Sequence, residues 1–139
     1  MALDNAFAIL IVSPSAHARR ALALLLSEAG FGSVLASDSD DALAKVSRGA
    51  PHVVMVDLRA SGEEELFFVS VLRRRHPGIA VVRLLDGRAL INSGEAEQVF
   101  DFGGSPRAQL PSVDDLRMAM GWVAAEQSLR IWKPALGHV

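Results

Sequence analysis

One carboxylate stands where an α/β sheet does its binding. Val53-Val54-Met55-Val56 is a continuous apolar run, and Asp57 closes it. Such a run reads as a strand buried on both faces. Open α/β sheets bind ligands outside the carboxyl ends of their strands, near the switch in strand order. Asp57 is at such an end. Its expected neighbour is the end of the first strand, Ser13-Pro14. Leu85 and Leu110, at the ends of the fourth and fifth strands, are expected to face the same crevice.

Other chemistry is sparse. The chain has no cysteine, which removes disulfides, thiolate metal sites and a Cys nucleophile. The four histidines, His17, His52, His76 and His138, are scattered. None pairs with another at the i, i+4 spacing of a helical metal site, and they read as surface or loop residues. No glycine-rich phosphate loop follows the first strand, where Ser13-Pro14-Ser15-Ala16 stands. That argues against a nucleotide binder.

The elements that position Asp57 follow from periodicity. Ala8 to Val12 is a second apolar run and the expected first strand. Ser13-Pro14 is expected to open a helix, with Ser as N-cap and Pro as first helical residue. Ala18, Leu22, Leu25, Leu26 and Ala29 have helical spacing. Gly30-Phe31-Gly32 ends that helix. Ser33 to Ala36 is a short strand, and Ser37 to Asp41 supplies a cap and an acidic first turn for a helix reaching Arg48. After the Asp57 strand, a helix covers Glu63 to Arg75. Glu63-Glu64-Glu65 and Arg73-Arg74-Arg75 are read as its solvated ends. Ile79 to Leu85 is a fourth strand.

Between Asp86 and Gly104, Ile91, Ala96, Val99 and Phe100 fit one helical face. Asn92, Ser93 and Gly94 interrupt it, so a poor or partly unwound helix is expected. Arg107 to Leu110 is the candidate fifth strand. Pro111-Ser112 opens a last helix with Asp114 and Asp115 in its first turn and Leu116, Met120 and Val123 along its inner stripe. Five strand–helix units predict an α/β fold, with a doubly wound parallel sheet and helices on both faces.

The 139 residues suffice for one domain. Half are hydrophobic and 22% are charged, a balance that can build a core. A net charge of −2 is unlike a nucleic-acid binder. No apolar run approaches the ~20 residues needed to cross a bilayer. Met1 to Phe7 carries Asp4 and no basic residue, unlike a signal peptide. A cytoplasmic protein without membrane or nucleic-acid partners is expected.

This arrangement resembles the receiver domain of two-component response regulators over about residues 7–127, with 128–139 as a C-terminal tail. The resemblance is carried by Ile9-Leu10-Ile11-Val12, Arg19 and the leucine-rich first helix. It continues in Pro51 through Arg59 with Gly62 after the acid, Val81-Val82, Gly103, and Leu110 through Leu116. It implies a five-stranded, flavodoxin-like sheet of order 2-1-3-4-5. It makes Asp57 the candidate acceptor of a phosphoryl group from a histidine kinase.

The family's other functional positions depart from its pattern. Ser13 and Pro14 occupy the place of the acidic pair that holds magnesium. Leu85 replaces the Ser or Thr, and Leu110 the Lys, that contact the phosphoryl oxygens. Arg107 stands at the switch aromatic, and Ser61 at the usual Pro. Magnesium prefers octahedral oxygen ligands with one or two carboxylates. Phosphoryl transfer needs positioned positive charge. Weak or absent magnesium binding, and no cofactor, are therefore expected. A second carboxylate from Asp86, Glu63 or Glu64 would restore part of the site.

The primary reading is a degenerate receiver without enzymatic activity, working through protein contacts or dimerisation. Its partners would be a histidine kinase, a phosphotransfer protein, an output protein or a second copy. Trp122, Ile131 and Trp132 are the candidate interface, although Trp122 equally suits packing on its own domain. The alternative is a working phosphoacceptor using Asp57 with non-standard ligands.

Overall fold

The protein is described here from a computed structural model covering residues 7–57, 62–85, 87–94, 96–101 and 110–136, with side chains to residue 127. Strands β1 (Ile9–Val12), β2 (Ser33–Ala36), β3 (Val53–Val56) and β4 (Ala80–Leu85) alternate with helices α1 (Ala16–Glu28), α2 (Ser39–Arg48) and α3 (Gly62–Arg75). β5 (Arg88–Ser93), β6 (Ala96–Asp101) and α4 (Val113–Leu136) complete the described elements. Among the described residues the sheet has six strands in the order β2-β1-β3-β4-β5-β6.

The doubly wound α/β fold is as expected. β1 to β4 pair in parallel. Strand residues alternate between two cores, because successive side chains point to opposite faces. On one face Ile9, Ile11, Met55 and Val82 meet Leu22 and Leu26 of α1 and Leu116, Met120 and Val123 of α4. On the other, Leu10, Val12, Val54 and Val56 meet Ala42 and Val46 of α2 and Phe68 and Leu72 of α3.

Helix starts follow local chemistry. Ser15, not Ser13, is the N-cap of α1, and its Oγ accepts from the Ala18 amide at 3.1 Å. In α2, Asp38 accepts from the Asp41 amide at 2.8 Å while Asp41 accepts from the Ser37 amide at 3.1 Å. The Ser37 amide, and then Lys45, hold the Asp41 carboxyl below its ordinary value. In α4, Ser112 and Asp115 cap each other reciprocally at 3.1 and 2.9 Å. The helix then runs through Leu136, so the backbone expected as a tail from residue 128 continues α4.

The main correction lies after β4. Where a fourth helix was expected between 86 and 104, the chain forms two antiparallel strands. Leu85 pairs with Arg88 across Asp86-Gly87, and Ser93 pairs with Ala96 across Gly94-Glu95. Gly87 and Gly94 have φ of 73° and 65°, as tight hairpin turns require. The position beside β4, expected for a parallel strand at Arg107–Leu110, is therefore taken by β5 running antiparallel. Residues 107–109 lie outside the described residues. The residues expected on one helical face are split by the pleat. Ile91 and Phe100 point to the α4 side, and Val99 to the opposite side.

The change leaves part of the sheet uncovered. On the face that carries α2 and α3, Arg83, Leu90 and Val99 form one cross-strand row, and Arg88 and Asp101 part of another. Among the described residues, no helix packs over Leu90 and Val99.

The turn after β4 gives a direct test. A Cβ added at Gly87 meets nothing within 4 Å, so Gly87→Ala carries only the strain of its positive φ. We predict a loss of about 1–2 kcal/mol in urea-induced unfolding. Helix through this segment would instead make the substitution stabilising by up to about 1 kcal/mol.

Candidate functional site

The strand order reverses between β1 and β3, and the carboxyl ends of these two strands carry Ser13 and Asp57. The Asp57 amide donates to the Val12 carbonyl at 2.8 Å, and the Ser13 amide to the Ala36 carbonyl at 3.2 Å. These bonds extend the ladder one residue past each strand and hold both side chains at the sheet's rim. Both residues are buried, Asp57 with 5% of its surface exposed and Ser13 with none.

The Ser13 hydroxyl donates to Asp57 Oδ2 at 3.4 Å and accepts from the Ser15 amide at 3.2 Å. A hydroxyl has one proton, so this one is committed to the carboxylate while its lone pair receives the amide. Arg19 Nη1 donates to the Ser13 carbonyl at 2.6 Å and ties α1 to the same corner. Ser13 therefore supports Asp57, as the adjoining strand ends suggested, and does not cap the helix.

The remaining expected positions are dispersed. Pro14 is exposed. Leu85 is partly buried at the end of β4, on the opposite side of the sheet from Leu84. Leu110 packs against the core formed with α1 and α4. Arg107, Ser61 and Asp86 lie outside the described residues. Glu63 is exposed, and Glu64 accepts from the Ser39 hydroxyl of α2 at 2.7 Å. Trp122 is half-buried on its own core and meets Phe100 edge-on at 6.4 Å. The backbone of Ile131 and Trp132 is helical, and their side chains lie outside the described set.

Sequence reasoning missed a second polar group. Glu65, read as part of a solvated helix start, is buried with 5% exposure, and its Oε1 lies 3.5 Å from Arg83 Nε on β4. Neither of these atoms has a hydrogen-bond partner, and nor does the buried Asn92 Oδ1 on β5. Glu65 falls at the helical spacing of the buried Phe68, Val69 and Leu72. That spacing was its one signal in the sequence.

Solved structures share this fold. NtrX from Brucella abortus, in complex with ADP, superposes with a TM-score of 0.67 at 20% identity, covering 93% of this chain and 28% of NtrX. A putative pilus assembly-related protein from Burkholderia pseudomallei gives 0.60 at 18% identity, covering 88% of this chain and 92% of that one. The chemotaxis response regulator CheY4 of Vibrio cholerae gives 0.50 at 23% identity, covering 55% of this chain and 66% of CheY4. The chain thus spans just under two thirds of CheY4. At these identities the likeness establishes the fold. No family model matches the chain, and neither does any curated protein sequence.

The Ser13 contacts set an expectation for stability. Ser13→Ala removes a donor from a buried carboxylate and leaves the Ser15 amide without its acceptor. A loss of about 1–2 kcal/mol is expected in urea unfolding. Pro14→Ala, one residue away but exposed, is expected to stay within about 0.5 kcal/mol of the parent.

Proposed function

We propose that this chain is an atypical receiver domain of two-component signalling that works as a protein-interaction module. In this reading Asp57 is retained for structure rather than as a phosphoacceptor. The supporting observation is the Ser13–Asp57 hydrogen bond at the switch in strand order. The resemblance implies an acidic pair at that rim. Here a hydroxyl meets Asp57 Oδ2 and an exposed proline follows.

In this reading Asp57, with a hydroxyl rather than a second carboxylate at the Ser13 position, has little to offer a hard divalent cation, which favours several oxygens and at least one or two carboxylates. Ser13 and Pro14 in place of an acidic pair spare the carboxylate that source of like-charge repulsion. Weak magnesium affinity and stability without metal follow from this reading. No enzymatic activity is assigned. The expected partners are a histidine kinase, a phosphotransfer protein, an output protein or a second copy of the chain. The likeness to CheY4, a chemotaxis response regulator, supports the signalling context by fold.

The test is intact-mass analysis after incubation with acetyl phosphate and magnesium. No adduct of one HPO3 is expected. An adduct that disappears in Asp57→Ala would overturn the proposal and establish the phosphoacceptor. In parallel, magnesium with beryllofluoride is expected to leave the melting temperature unchanged, and a clear upward shift would count against the loss of the metal site.

A further inference from the structure

Among the described strands β6 lies at the edge of the sheet, and its outer side has a defined chemistry. Ser93 and Ala96 flank a two-residue turn and form the first hydrogen-bonded pair. In an antiparallel ladder such pairs alternate, so the next are Ile91 with Gln98 and Ala89 with Phe100. Glu97, Val99 and Asp101 therefore direct their amide and carbonyl groups away from β5. Among the described residues, the contact on these groups is the Gln98 side-chain amide, which donates to the Val99 carbonyl at 3.3 Å.

Edges of this kind are templates for another strand unless they are blunted by charged side chains, Pro, a bulge or a cover. β6 has no Pro and no bulge through its six pairs, and its two charges, Glu97 and Asp101, are of one sign, so they repel an acidic strand and admit a basic one. Its side chains then say what would fit beside it. On the open face they read Glu97, Val99, Asp101, with Val99 44% exposed. On the other face half-buried Phe100 meets half-buried Trp122 of α4. A second β6 paired antiparallel about Val99 would set Glu97 against Asp101 twice, and like charges directly opposite are destabilising. The edge favours a cation beside Glu97 and a second beside Asp101, whose 3.7 Å approach to Arg88 of β5 leaves its side chain 80% exposed.

We propose that β6 binds an extended segment of a partner protein, antiparallel to it, with a basic–apolar–apolar–polar–basic pattern. The first cation lies beside Asp101 and an apolar residue covers Phe100. A second apolar residue lies beside Val99, a polar one beside Gln98 and the second cation beside Glu97. This rests on the reading of the chain as an interaction module, and it is independent of the state of Asp57. The acetyl phosphate experiment and the experiment below therefore fail separately.

The isotope-labelled chain is titrated with an end-capped peptide containing Lys-Val-Val-Thr-Lys between Gly-Ser flanks. Amide shifts centred on Glu97, Val99 and Asp101 are expected, with the Glu-Val-Val-Thr-Glu peptide about tenfold weaker. Val99→Pro removes an outward amide and spares the β5 pairing, so it should abolish binding. If that variant fails to fold, Glu97→Lys with Asp101→Lys provides the second test and should reverse the preference between the two peptides.

Equal binding of both peptides, or no shifts at these residues, would overturn the proposal. So would an unreversed preference in the double variant. A free chain that is a dimer, and becomes a monomer in Val99→Pro, would assign the edge to a second copy instead. A Val99 amide protected from hydrogen exchange in the free monomer would mean the chain covers its own edge. Either result would also overturn the proposal.

Discussion

The fold depends on burying β3 on both faces. Val53 to Val56 are fully inaccessible and pair in parallel with β1 on one side and β4 on the other. Parallel neighbours cannot be joined by tight turns, so each connection is a long crossover carrying a helix. Right-handed crossovers place α1 on one face and α2 and α3 on the other, and the last helix, α4, joins α1. The same geometry brings the carboxyl ends of β1 and β3 to the switch in strand order, where Asp57 meets Ser13.

That constraint is relaxed after β4. A two-residue turn returns the chain antiparallel, which requires no crossover helix and supplies no cover. One face of the hairpin still rests on α4 through Ala89, Ile91 and Phe100. The other carries Arg83, Leu90 and Val99 beside the rim of α3. Glu65 compensates where α3 ends its coverage, but its 3.5 Å approach to Arg83 leaves atoms on both sides without hydrogen bonds. Desolvating such a pair offsets much of its attraction, so it adds little net stability. Removing one partner alone would still be costly.

The first four strands were legible because their apolar runs are short, continuous and separated by helices with apolar stripes. Leu22, Leu26, Met120 and Val123 all fell on inward faces. Asp57 was legible for the same reason, as the first polar residue after a buried run. The hairpin was obscured by competing periodicities. Ile91, Ala96, Val99 and Phe100 satisfy a helical face, while Asp86-Gly87 and Ser93-Gly94 are turn chemistry that alternation on both sides would have supported. Ser13 was legible as a neighbour of Asp57, because the first and third strand ends adjoin in this fold, but it was misread as a helix cap because serine before proline suits one. Glu65 was misread because a run of three glutamates suggests solvent, whereas helical spacing puts its third member on the inner face.

The hairpin after β4 also shapes the rim at the carboxyl ends of the strands. A crevice at the carboxyl ends of an α/β sheet is walled by the loops that follow its strands. The connection after β4 is two residues long, and β5 runs the other way, so the rim receives the start of β5 rather than its end. Arg88 is the side chain delivered there, and it lies 3.7 Å from Asp101 of β6. β4 ends in Leu85, and Leu110 is drawn into the core with α1 and α4. The rim beyond β3 is thus set by Leu85 and Arg88, while the outward backbone groups of β6 lie at the far edge of the described sheet.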